Sequence, residues 1–461
     1  MRFIQAAVIY FSLFSQSFSA QDNVLEEYVR TGLENNLAIE QKKLSLRQSL
    51  EALKEARGLF LPKIDIQARY TRAGGGREIV FPVGDLINPI YATLNDLLEA
   101  QGDPAPFPED LANERIPFLR EKEQDTRLRL IQPVFQPAII SNYRIKRDLQ
   151  KMQEAETAVF ARQLAADIKT AYFQYLIAAK VTDLLEQTQP LLTENVRVSN
   201  ALVKNEKSTR DVLYRAQAEL SEFEQQFDDA QKNAWLAARY FNFLLNTDFE
   251  TEIPSLDSPQ SQPQALDLPT LTNAALERRE ELRQVRRAVN LKKNQAKLAR
   301  AAYLPNVSLV VDYGVQGESY AFGKDDDFWA ASAVMRWNLF NGFQDKAKVS
   351  QARLERENFE TRLQELERQI ELQVREHHDN VLVAQKTIAS ANARLQSARQ
   401  SFEIVRKKFE QGLAPQIEFL DARKTMTDAE INAIIAQYNL QIQHAGLERV
   451  AALYELGDVL E

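Results

Sequence analysis

The sequence predicts a mainly α fold with a membrane β-barrel portion, built from one unit written twice. Three observations predict it. Ala56-Arg57-Gly58-Leu59-Phe60-Leu61-Pro62-Lys63-Ile64 recurs as Ala299-Arg300-Ala301-Ala302-Tyr303-Leu304-Pro305-Asn306-Val307, 243 residues later. Each copy is followed by two alternating, strand-like runs and then a very long stretch of helical periodicity. After residue 20, no segment approaches the roughly 18 apolar residues that a transmembrane helix needs. A chain of this kind spans a bilayer only as strands closed into a barrel, since open sheet edges are not tolerated in lipid. A duplication of more than 200 residues is far longer than solenoid repeats, whose periods reach about 50.

The N-terminus predicts export. Arg2 precedes the apolar run Phe3 to Phe14, and Ser17 and Ser19 stand at the −3 and −1 positions for cleavage before Ala20. This pattern reads as a signal peptide over residues 1–19. The chain has no cysteine, which excludes disulfides, thiolate metal sites and a lipid-modified N-terminus. The formal charge of −8 would become −9 on loss of Arg2, an acidity that argues against a nucleic-acid partner.

Glycine and proline mark out the helices. From Phe343 to Gln411 there is neither, a run of 69 residues. As one helix it would extend roughly 100 Å. Phe359, Leu363, Leu366, Ile370, Val374, His377, Val381, Ala384, Ile388, Ala391, Leu395, Ala398, Phe402, Val405 and Phe409 follow at spacings of three and four, a seam for coiling around neighbours. Ala138 to about Lys204 plays the same part in the first half, with Pro190 as an expected kink. Each long helix is expected to turn and return, to about Leu245 and Tyr454. The first turn holds Asn205, expected to be left-handed, and Ser208-Thr209-Arg210-Asp211, a capping-box pattern. The second holds Gly412 as a stop and Pro415 as a helix start.

Four strands are predicted: Lys63–Arg72, about Thr126–Phe135, Asn306–Gln316 and Asp327–Leu339, each apolar on one face and polar on the other. Trp329 and Trp337 share a face eight residues apart, which spans roughly 20 Å of the membrane normal and suits anchors at both interfaces. The 73–125 and 317–326 connections are assigned to the outside of the cell, the first with a small helix over 86–100. The organisation is therefore a signal peptide (1–19), a first repeat (20–249), a Pro/Ser/Gln-rich linker (250–269) and a second repeat (270–461). Four strands cannot close a barrel. Two copies give a filled eight-stranded barrel, and three give twelve strands with room for a pore.

The duplicated Ala-Arg-x-x-aromatic-Leu-Pro unit resembles the TolC family of outer-membrane efflux proteins. So do Leu33-Glu34-Asn35-Asn36-Leu37, Val134-Phe135, Leu339-Phe340, Gln411-Gly412-Leu413 and Phe419-Leu420-Asp421-Ala422. The likeness covers about residues 24–457. It implies a homotrimer with a twelve-stranded barrel and a periplasmic helical tunnel, completed by a periplasmic adaptor and an inner-membrane pump. It also implies a gate of acidic residues six and nine positions after the turn glycine, here Glu418 and Asp421. Crowded carboxylates resist simultaneous ionisation and attract cations. An acid at 418 is equally explained by the helix dipole. Arg210 and Asp211 are candidates for bracing the closed gate. Adaptor docking is expected on the tips: Asn205, Ser208, Gly412, Leu413 and Pro415. Ala414 departs from the basic or hydroxyl residue common in the family, so a latch there is not expected.

No cofactor, metal site or catalytic constellation is expected. The chain has three histidines, and His377-His378 reads as a packed or exposed pair rather than a ligand set. The function read from the sequence is a passive outer-membrane exit duct for efflux or type I secretion. The alternative is a periplasmic coiled-coil adaptor or scaffold, which would lack the alternating strands.

Overall fold

The unbroken spacing of threes and fours does form single helices. In the computed structural model, which describes residues 20–254, 267–320 and 326–456, helix α4 (Pro137–Lys204) has 68 residues and α8 (Gln344–Glu410) has 67. The returning helices are α5 (Arg210–Leu245) and α9 (Gln416–Val450). Ahead of the first hairpin come α1 (Ala20–Asn35) and α2 (Leu37–Gly58), and ahead of the second α6 (Leu268–Arg278) and α7 (Glu280–Arg300). The expected signal peptide and most of the expected linker (255–266) lie outside the described residues.

The chain divides into a helical unit and a sheet unit. In the helical unit, all fifteen seam residues from Phe359 to Phe409 are buried or half-buried. Three apolar clusters form its core. One joins α1, α4 and α5 through Leu33, Ile168, Tyr172 and Phe241. Gly32 gives the Ile168 side chain its place there, since a Cβ would lie 2.3 Å from Ile168 Cδ1 and the isoleucine would have to shift. The second joins α6 and α7 to α8 and α9 through Leu271, Leu282, Ile370 and Val450. The third joins the four hairpin helices through Leu192, Phe223, Phe402 and Phe419.

Polar residues tie helices that are distant in sequence. Arg162 makes a two-pronged bond to Glu280 (2.8 Å at each prong) and donates to the Tyr454 carbonyl at 2.6 Å. Asn294 donates to Asp148 at 2.7 Å. Asn36 accounts for the Asn-Asn segment between α1 and α2. Its Oδ1 accepts from Ala38 N at 2.9 Å, opening α2, while its Nδ2 donates to the Leu244 carbonyl at 2.8 Å.

His377 packs in the seam. Gly446 makes room for it, because a Cβ there would meet its Nδ1 at 2.8 Å. Burial holds His377 below the usual imidazole value, with repulsion from Arg449 adding to the effect. Burial likewise lowers His444. The unfolded chain takes up these protons first, so the helical unit loses stability as pH falls through about 6.5 toward the folded values. The double variant His377→Gln/His444→Gln is expected to flatten the urea midpoint between about pH 7.5 and 5.5. An unchanged slope would remove these histidines as the cause.

The sheet unit holds β1 (Lys63–Arg72), β4 (Lys122–Phe135), β5 (Asn306–Gly317) and β6 (Asp327–Arg336). They pair antiparallel in the order β1-β4-β5-β6. Each Leu-Pro stands at a helix-to-strand change. Leu61 and Leu304 close tight turns, and Pro62 and Pro305 immediately precede β1 and β5. Pro133, which has no N–H to give, lies at the irregularity of the β4–β5 ladder. The second strand starts four residues before the expected Thr126. The fourth stops at Arg336, short of Leu339, which leaves Trp337 beyond its end. Between β1 and β4, the helix expected over 86–100 is α3 (Val83–Ala100). A ribbon of β2 (Glu78–Phe81) and β3 (Glu114–Pro117) accompanies it, and the sequence reading had no strand there.

Candidate functional site

Both hairpin tips use the same backbone device. At the second, Leu413 N–H donates to Lys408 O (2.8 Å) and Gly412 N–H to Phe409 O (2.9 Å), with Gly412 at φ +75°. At the first, Lys207 N–H donates to Leu202 O (2.9 Å) and Glu206 N–H to Val203 O (3.1 Å). This is the Schellman closure, whose left-handed residue stands one place past the helix cap. The left-handed residue of the first tip is therefore Glu206 (φ +56°), not Asn205. Asn205 sits one position early, and its Nδ2 donates to Ala201 O at 2.7 Å.

The expected capping box is not formed. The N-cap of α5 is Thr209, whose side chain makes no cap bond, so Asp211 falls one position short of the reciprocal place. The Thr209 hydroxyl bonds Asp211 instead and holds its carboxyl below the usual range. Pro415 is the N-cap of α9 rather than its first helical residue.

Glu418 and Asp421 lie one turn apart on the exposed side of α9, beyond buried Gln416, Phe419 and Leu420. Among the described residues no hydrogen bond or ion pair links either acid to Arg210 or Asp211, which are exposed on the first turn of α5. Ser208 is half-buried, while Leu413 is exposed.

Behind the two acids runs a polar seam that the sequence reading missed. Gln416 Nε2 donates to Ser199 Oγ at 2.9 Å, tying α9 to α4. Arg423 is only 3% exposed, with its guanidinium 5.2 Å from the Phe223 ring centre. Its Nε and Nη1 have no hydrogen-bond partner among the described residues. Burial lowers its pKa, opposed by Glu219 and Glu430. The available signal was Arg423 four residues after Phe419 and four before Thr427, a charge inside an apolar seam.

The sheet has two chemically distinct faces. Ile66, Leu128, Tyr313 and Trp329 form one cross-strand row, and Ile64, Leu130, Val311 and Ala331 the next. Trp329 is 75% exposed and Ile66 76%. The reverse face carries Asp65, Arg129 and Asp312 in register. Arg129 grips Asp312 through two bonds of 2.7 Å, and Arg127 lies 3.7 Å from Asp312 and 3.6 Å from Asp125. Trp337, past the strand, donates from Nε1 to Tyr303 O at 3.1 Å. Phe60, Phe135, Tyr303 and Phe340, at the ends of the strands or in the turns beside them, are exposed as well. Among the described residues, strands β1 and β6 each keep one edge unpaired.

Residues 271–452, from α6 to the end of α9, match the outer membrane efflux protein family. No curated protein sequence matches the chain. Among solved structures, the efflux-type fold recurs in the Campylobacter jejuni CmeC outer membrane channel. That match has 15% identity and a TM-score of 0.77, over 99% of this chain and 95% of that one. The Vibrio cholerae outer membrane protein VceC has 14% identity and a TM-score of 0.74, covering 94% and 96%. The open state of the Neisseria gonorrhoeae MtrE outer membrane channel has 16% identity and a TM-score of 0.70, covering 93% and 88%. At these identities the likeness is one of fold: long helices with a four-stranded sheet, as in the outer-membrane channels.

Proposed function

We propose that the chain is the outer-membrane exit duct of a tripartite efflux or type I secretion assembly, conducting cargo passively from an inner-membrane pump and a periplasmic adaptor to the exterior. The observation that carries this reading is the two-faced sheet with open edges. An exposed apolar face suits lipid, a charged reverse face suits a water-filled lumen, and unpaired edges demand identical neighbours. Three copies supply twelve strands, with β6 of one copy paired to β1 of the next. Trp329 and Trp337 anchor the band at its two interfaces. A periplasmic adaptor or scaffold would have no use for such a sheet. No helix of the described residues is long and apolar enough to cross a membrane, so the spanning role falls to the strands.

Detergent-extracted outer membranes are expected to yield a heat-modifiable trimer. A soluble periplasmic monomer would overturn the reading.

The tips follow from the same proposal. Glu418 and Asp421 from three copies ring the periplasmic end as the gate, and Arg210 and Asp211 brace it. Asn205, Ser208, Gly412, Leu413 and Pro415 meet the adaptor. The variant Glu418→Ala/Asp421→Ala is expected to raise single-channel conductance in planar bilayers. Unchanged conductance and ion selectivity would place the gate elsewhere.

A further inference from the structure

The β1–β4 connection leaves the sheet where Arg72 pairs with Lys122, at the opposite end of β4 from Phe135. It folds on itself. Asn88 exchanges two bonds of 3.0 Å with the backbone of Leu111, and Asn95 exchanges two, of 2.8 and 3.2 Å, with that of Phe107. Asp85 and Asn113 exchange two more, of 3.0 and 2.9 Å. Tyr91 stacks on Phe107 at 5.1 Å. A Cβ at Gly84 would lie 2.0 Å from the Leu111 carbonyl oxygen, so glycine is what lets the 107–113 strap close on the helix. The inner side of α3 is thus fully occupied.

Its outer side carries Leu86, Ile90, Leu94 and Leu97, spaced four, four and three, and 65, 57, 39 and 56% exposed. This is a seam for another helix, turned to solvent.

Charge and connectivity select the occupant. From Pro82 to Asn113 there are six acidic residues and no lysine or arginine. A helix lying on an anionic outer leaflet would need basic residues on its polar side. Asp85, Asp96 and Glu99 lie about 120–180° around the helix from Ile90, so the stripe itself is uncharged and meets a like stripe without repulsion. The sheet that bears it has two open edges, which identical neighbours close in the trimeric duct. That closure brings three copies of α3 to one mouth at high effective concentration.

We propose that the α3 helices of three copies pack stripe to stripe around the threefold axis and cap the outer mouth of the barrel, the occupant of each stripe being a second copy of this chain. The inference rests on the trimeric-duct reading.

The chain's lack of cysteine makes the test direct. Full-length Ile90→Cys, oxidised in outer-membrane vesicles, is expected to give covalent dimers containing about two-thirds of the chains, since three thiols pair two at a time. Leu97→Cys is expected to behave alike, so a folding defect in one variant leaves the other decisive. Glu99→Cys, on the opposite side, is expected to stay monomeric after boiling. Intact heat-modifiable trimers without cross-linking at either 90 or 97 would overturn the cap and leave the duct standing. A nitroxide at position 90 quenched from the lipid phase rather than from water would overturn it in favour of the membrane. Absence of trimers from the unsubstituted chain would strike the duct reading itself.

Discussion

Replacing Glu280 by alanine is expected to destabilise the helical unit by about 3–5 kcal/mol, the usual cost of orphaning one member of a buried ion pair. Arg162 is 8% exposed and Glu280 2%, and the carboxylate takes both prongs of the guanidinium. Without it, Arg162 keeps its bond to the Tyr454 carbonyl, which offsets little of the desolvation. Removing the pair together is a different case, because apolar residues of similar volume make no demand for partners. Arg162→Met/Glu280→Leu is expected to recover most of the loss and to unfold in urea near the unsubstituted midpoint. Equal damage from the single and the double variant would mean that the pair contributes through shape rather than charge. The pair links α4 to α7, so its loss is expected to loosen the packing of these two helices.

The long helices were legible because their signal is redundant. The fifteen seam residues repeat one instruction, and the proline-marked strand starts repeat another. Turn detail depends on one residue of register, and there the reading slipped. Asparagine is the better left-handed residue in isolation, yet the Schellman closure counts from the helix end and selects Glu206. The same off-by-one shift moved the N-cap of α5 to Thr209. Trp337 repeats the strand period but lies past the last ladder pair, because alternation in sequence does not mark where pairing stops. The β2–β3 ribbon has four residues on each strand, too short to show a period. Arg423 was invisible for another reason: it is covered by Phe223 on a different hairpin, 200 residues away in sequence.

The assignment of the two sheet faces is open to a test on neighbouring residues of one strand. Ala331 and Ser332 are consecutive in β6. Ala331 stands opposite Val311 in the apolar rows, while Ser332 stands opposite Val310 on the reverse face that holds Arg129 and Asp312. Arginine at a lipid-facing position near the bilayer midplane costs about 2–4 kcal/mol, whereas lumen-facing substitutions adjust selectivity rather than stability. In the proposed trimer, Ala331→Arg would carry that cost in every copy. It is expected to abolish heat-modifiable trimers or reduce them severely. Ser332→Arg, one residue along, is expected to leave the trimers intact and to shift the reversal potential toward anions. Both variants place the same side chain within about 3.3 Å of each other along the strand, so composition and strand propensity are matched and only the face differs. The opposite pattern, with trimers lost at 332 and kept at 331, would turn the sheet inside out. It would put the Arg129–Asp312 ladder against lipid, where those charges would lack water and the fold would have no means of supporting them.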